Sequence, residues 1–110
     1  MRLIDHFIAG GTGGVVPARK SPVYDPNNGT VQAEVALGDA AMLERAVAAA
    51  SAAQPAWAAM NPQRRARVMF NFKALVETHM DELAALLSSE HGKVIADSKG
   101  DIQQIGRAHV

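Results

Sequence analysis

The 110-residue chain contains no cysteine, which excludes disulfides, thiolate metal sites and a cysteine nucleophile within these residues. Eleven basic and eleven acidic side chains cancel to a formal net charge of zero, so no general field draws the chain to nucleic acid or an anionic membrane. Long hydrophobic runs are missing as well. The N-terminus offers Arg2, Asp5 and then only the short Phe7-Ile8 pair, too little for a signal peptide's apolar segment or a membrane span. These absences predict a soluble, cytoplasmic protein with no nucleic-acid and no membrane partner. What is present is 48% hydrophobic residues, enough for the core of one small domain. Much of that content is alanine, which favours helix but buries little area.

Residues 1–38 predict strands and turns. His6-Phe7-Ile8-Ala9 followed by Gly10-Gly11 reads as a short strand entering a turn, and Ser21 to Tyr24 as a second extended piece before Asp25-Pro26. Asn28-Gly29 tolerates φ > 0 at both central positions of a type I′ turn. It therefore predicts that Val23-Tyr24 pairs with the alternating segment Val31 to Leu37 in a small antiparallel unit.

The apolar period then changes from two to about 3.6, and about four helices are expected over residues 39–103. Asp39 supplies an N-cap, after which Leu43, Ala46, Val47, Ala50, Ala53 and Trp57 fall on one face. Pro55 removes an internal hydrogen bond and predicts a kink or break near Ala53, with Trp57 and Met60 buried beyond it. Asn61-Pro62 repeats the start signal, a capping side chain followed by proline at the first helical position. Val68, Met69, Phe72, Leu75 and Val76 form the next apolar stripe. A third helix is expected near Asp81, with Leu83, Leu86 and Leu87 facing inward and Gly92 ending it. A fourth begins at Lys93 and carries Val94, Ile95 and Ile102, weakened by Gly100.

Four groups of residues invite a functional reading. Gly10-Gly11-Thr12-Gly13-Gly14 suggests a phosphate loop, but a dinucleotide fingerprint needs glycine where Val16 stands, and Pro17 follows where a helix should open. A surface turn is the simpler account. Arg64, Arg65 and Arg67 suit an anionic ligand or a carboxylate partner, yet sit at a helix start where the dipole disfavours positive charge, so a solvated or interface face is expected. His6, His79, His91 and His109 are scattered without metal-ligand spacing, and Glu90-His91 diverge on a helix end. Asn28-Gly29-Thr30 satisfies a glycosylation pattern that its turn role already explains.

Taken in order, several stretches resemble the N-terminal part of the aldehyde dehydrogenase superfamily. They are Phe7 to Gly10, the SPVYDP-x-x-G-x-V stretch from Ser21 to Val31, an alanine-rich helix ending in Pro55-Ala56-Trp57, the run from Arg67 to Phe72, and the E-x-GK element from Glu90 to Lys93. Arg64 to Phe72, Ser89 to Lys93 and Ala96 to Asp101 look most like the methylmalonate-semialdehyde dehydrogenase subfamily. The resemblance implies an α/β parent fold of the aldehyde dehydrogenase type, in which this chain holds a small β unit followed by helices leading into the NAD-binding domain. It further implies a homo-oligomeric enzyme that oxidises methylmalonate or malonate semialdehyde with NAD and transfers the acyl group to coenzyme A. In that family a cysteine thiolate attacks the aldehyde carbonyl and hydride passes to nicotinamide. Those groups lie beyond the matched portion. No catalytic, cofactor-binding or metal residue is therefore expected in residues 1–110, and the chain alone is expected to bind no cofactor and to be inactive.

The resemblance runs over residues 5 to 103. Gln104 to Val110 can be encoded by CAGATCGGAAGAGCACACGTC, which after its first base resembles a common sequencing-library adapter, so a non-native tail is expected there. The subfamily carries an arginine at this point, which would help hold the substrate carboxylate. A rival reading keeps the chain as a complete helical module whose arginine-rich helix binds an acidic partner. Another semialdehyde dehydrogenase is the alternative parent.

Overall fold

The computed structural model describes residues 1–12 and 16–108. Its elements are β1 (Arg2–Ile4), β2 (Phe7–Ile8), β3 (Gly11–Thr12), β4 (Arg19–Tyr24), β5 (Val31–Leu37), α1 (Ala40–Ala59), α2 (Pro62–Thr78), α3 (Met80–His91) and α4 (Ile95–Ala108). They form two units: Met1–Tyr24 with Thr30–Ala59, and Asp25–Gly29 with Met60–Val110.

In the first unit β5 is the central strand of a three-stranded sheet. It pairs antiparallel with β4, Val23 opposite Ala33, as the alternating pattern predicts. It also pairs parallel with β1, Ile4 opposite Val35, a partner about thirty residues distant that no local signal announces. Ala33 is fully buried and Ala36 nearly so.

The turn chemistry differs from expectation. Gly29 has φ 75, but Asn28 is not among the positive-φ residues, so Asn28-Gly29 is not a type I′ turn. Instead the Asp25 carboxylate organises a longer loop, accepting from the Asn27 backbone N–H at 2.8 Å and from the Asn28 amide at 3.2 Å. The Gly29 N–H closes it onto the Asp25 carbonyl at 2.8 Å. Asparagine and aspartate compete for backbone groups in this way, and here that won over the two-residue hairpin. The two-residue turn occurs elsewhere. Ala9 (φ 54) and Gly10 (φ 82) link β2 to β3, with both dihedrals positive as a type I′ turn demands.

α1 opens where Asp39 accepts from the Met42 N–H at 2.8 Å, the expected cap. It then runs unbroken through Pro55, so the predicted break near Ala53 does not occur. The carbonyl that Pro55 leaves unmatched belongs to Ser51, which is exposed together with Pro55, and water can satisfy it. Nor does the expected apolar face bury. Trp57 is 38% exposed, Leu43 65% and Val47 56%, and α1 has no buried residue.

The second unit holds a compact helical cluster. Asn61 Oδ1 accepts from the Gln63 N–H at 2.8 Å and Pro62 occupies the first turn of α2, as predicted. Asp81 and Glu82 lie in the first turn of α3, and Gly92 ends it with φ 86, its N–H bonding the Ser88 carbonyl at 2.9 Å. α4 starts at Ile95, two residues later than predicted. Val76, Ala84 and Ile102 form the core, with Met80, Leu83 and Leu87 packed against it. The expected stripes are otherwise covered thinly: Val68, Phe72, Leu75, Leu86, Val94 and Ile95 are exposed. Ser98 is fully buried, and its hydroxyl pairs with that of Ser88 at 2.8 Å.

Two substitutions test this account. Gly92→Ala should destabilise the helical cluster by about 1–2 kcal/mol through its left-handed φ alone, with further crowding because the new Cβ would lie 3.0 Å from Pro26 Cγ. Asn61→Ala should cost about 1 kcal/mol by removing the α2 cap. Both are read as earlier loss of helical circular-dichroism signal in urea, and an unshifted midpoint would contradict the corresponding contact.

Candidate functional site

The residues singled out in the sequence do not converge. Arg64 and Arg67 are exposed on α2, whereas Arg65 is half-buried with its Nε enclosed and lacking an acceptor. His79, at the junction of α2 and α3, bonds Glu82 at 3.1 Å. His91 and Glu90 are exposed at the end of α3. His109, Gly13 and Gly14 lie outside the described residues, while Gly10 and Gly11 belong to the β2–β3 hairpin. Among the described residues no group of three His, Asp or Glu side chains could hold a metal, and no helix is long and apolar enough to cross a membrane.

The first unit does contain a recess that no sequence signal announced, because its walls are remote in the chain. His6, Pro17, Leu37, Gly38, Asp39 and Arg45 line a cavity of about 250 Å³ at the start of α1. Its chemistry is largely committed to structure. The Asp39 carboxylate caps the helix, the Asp5 carboxylate accepts from the His6 backbone N–H at 2.8 Å, and Gly38 faces the His6 ring, which lies 3.4 Å from where a Cβ would stand. Among the described residues no serine, threonine or cysteine lines this wall.

In the second unit, two stretches that carry the family resemblance meet. The loop Asp25–Gly29 brings Pro26 against Gly92, and Lys93 pairs with Asp101 on α4. A second pair, Lys99 with Asp81 at 2.6 Å, joins α4 to α3. Each motif thus supplies turns, caps and helix contacts. The remaining stretches do the same: Phe7 to Gly10 is β2 and its turn, Pro55 to Trp57 closes α1, and Arg67 to Phe72 lies within α2.

Comparison with known proteins agrees with this arrangement. The aldehyde dehydrogenase family model matches residues 16–109. A malonate-semialdehyde dehydrogenase of Bacillus pumilus is 35% identical over 104 residues, covering 94% of this chain and 21% of that protein. Among solved structures, the methylmalonate-semialdehyde dehydrogenase of Oceanimonas doudoroffii superposes with a TM-score of 0.94 at 36% identity, over 99% of this chain and 22% of that one. A provisionally assigned methylmalonate-semialdehyde dehydrogenase of Sinorhizobium meliloti, solved with NAD, gives 0.92 at 47% identity, over 98% and 23%. The chain therefore spans about a fifth of the length of these relatives. Its small sheet followed by four helices is the corresponding portion of their fold, and the chain belongs to the aldehyde dehydrogenase family.

Proposed function

We propose that this chain is the N-terminal scaffold of an NAD-dependent, coenzyme A-acylating methylmalonate- or malonate-semialdehyde dehydrogenase, and that the 110 residues alone are inactive. The observation that carries the reading is the 36% identity maintained over 99% of the chain to a methylmalonate-semialdehyde dehydrogenase of the same backbone. NAD is the cofactor bound by the Sinorhizobium meliloti relative, and when bound it accepts the hydride from the substrate carbon. Coenzyme A as acyl acceptor, a cytoplasmic location and a homo-oligomeric state follow from the subfamily resemblance.

Within this reading the roles of the chain's residues are structural. Residues 39–103 are the helical N-terminal part of the NAD-binding domain and present no catalytic, cofactor or metal ligand. Without a cysteine the chain has no thiolate to attack an aldehyde carbonyl. The purified chain, given methylmalonate semialdehyde, NAD and coenzyme A, should form no NADH, and measurable NADH would refute the proposed inactivity. The full-length enzyme encoded at the source locus should form NADH from that aldehyde dependent on coenzyme A; oxidation confined to another semialdehyde would reassign the parent.

The segment Gln104 to Val110 is, in the same reading, derived from adapter sequence, against which stand a family match that runs to residue 109 and a helix α4 that runs to Ala108. None of Gln103, Gln104, Ile105 and Arg107, which follow the buried Ile102, is itself buried. Sequencing the locus should show the genomic codons diverging within codon 104, and a genome that encodes all seven residues would overturn this origin.

A further inference from the structure

Asn28-Gly29 carries the elements of a covalent reaction of its own. Both residues are exposed, and Gly29 has no side chain to obstruct attack by its backbone nitrogen on the side-chain carbonyl carbon of Asn28. That nitrogen, however, donates to the Asp25 carbonyl at 2.8 Å, and an N–H held in a hydrogen bond gives up its proton reluctantly. The other asparagines lack this combination. Asn27 precedes Asn28, whose side chain crowds the attacking nitrogen, Asn61 precedes Pro62, which has no N–H, and Asn71 precedes Phe72 inside α2.

Asp25 holds the loop shut. Its carboxylate accepts from the Asn27 backbone N–H at 2.8 Å, from the Asn27 amide at 3.0 Å and from the Asn28 amide at 3.2 Å, and the same loop sets Pro26 against Gly92. We propose that Asn28 is a site of deamidation which the Asp25 loop keeps latent, and that the carboxylate formed there hinders the loop from closing again. In the open loop hydroxide removes the Gly29 N–H proton, and the nitrogen attacks Asn28 Cγ to form a new C–N bond. The bond from Cγ to the side-chain nitrogen breaks, and ammonia leaves with a proton from water, which regenerates hydroxide. Water then opens the cyclic imide at either carbonyl, leaving aspartate or isoaspartate in place of Asn28. The net change is water consumed and ammonia released, with no oxidant or reductant. It replaces a donor to Asp25 Oδ2 by a second anion, and like charges so close repel. The reaction is independent of which aldehyde the parent enzyme takes.

The test follows the full 110-residue chain in mildly alkaline buffer, with and without urea, by mass spectrometry of the peptide that carries Asn27 and Asn28. Within that peptide deamidation should be confined to Asn28 and at least about tenfold slower in buffer than in urea, because only the open fraction of the loop reacts. Asp25→Ala should remove most of this protection while the helical circular-dichroism signal is retained. If that variant loses its helical signal, Asp25→Asn decides, since its amide oxygen still accepts from the Asn27 N–H: it should keep its helices and deamidate faster than the unaltered chain. The deamidated chain, separated by its added negative charge, should lose helical signal at a lower urea concentration than the unmodified chain. Equal rates in buffer and urea, protection that survives loss of the Asp25 carboxylate in a helical variant, or coincident urea midpoints of the two separated forms would overturn the proposal.

Discussion

The reversal at Gly92 is the constraint on which the helical unit depends. α3 must end and α4 must return within three residues, and the left-handed φ of 86 at Gly92 accomplishes this while only a hydrogen faces Pro26. Once the chain is turned, Ser98 meets Ser88 and Ile102 reaches Val76 and Ala84. Burying a side chain such as Ile102 is worth about 1.5–3 kcal/mol. The exposed pair Lys99–Asp81 contributes about 0–1 kcal/mol. Packing therefore stabilises the α3–α4 contact, and the ion pairs bias its register. The buried hydroxyls act in a further way: breaking the Ser88–Ser98 pair strands a polar group at a cost of about 1–3 kcal/mol, which penalises sliding of α4 along α3.

That constraint gives the recognisable stretches of this chain a structural role. The Asp25-Pro26 loop and the Glu90–Lys93 element lie far apart in sequence, yet Pro26 touches the space that Gly92 leaves open. The Asp25 carboxylate accepts from Asn27 and Asn28, the Asp39 carboxylate from the first turn of α1, and the Asn61 amide oxygen from the first turn of α2. Each of these acceptors fixes a local turn or helix start. A family can be named from such residues because backbone geometry restricts which residue types they can be.

Helix positions were legible because caps and breakers act locally. Asn61-Pro62 and Gly92 satisfy or terminate a backbone run within one turn, and Asp81-Glu82 place negative charge in the first turn of α3. Where expectation and structure differ, solvent, a competing local acceptor or a distant strand decided. Pro55 did not break α1, because the unmatched carbonyl lies in water. Asn28-Gly29 did not form the two-residue turn, because Asp25 offered a competing acceptor, while Ala9-Gly10 formed one with no asparagine to advertise it. β1 was invisible, being three residues long with its partner across the sheet. Of the candidate site, the scattering of the histidines was readable from spacing alone. The recess around His6 was not, since its walls come from three separate segments.

Burial was the least legible property, for a physical reason. An amphipathic period states which face must be covered, and it is silent on whether the cover is supplied by the same stretch of chain. Among the described residues the buried apolar set is Ala33, Ala36, Val76, Ala84 and Ile102, and three of these are alanines with little area to remove from water. Ordering each residue costs about 1–2 kcal/mol of backbone entropy, of which so small a fully buried set offsets only a part. The apolar stripes on α1 and α2 are written in the sequence yet stand largely exposed, and the same backbone recurs as about a fifth of a longer enzyme.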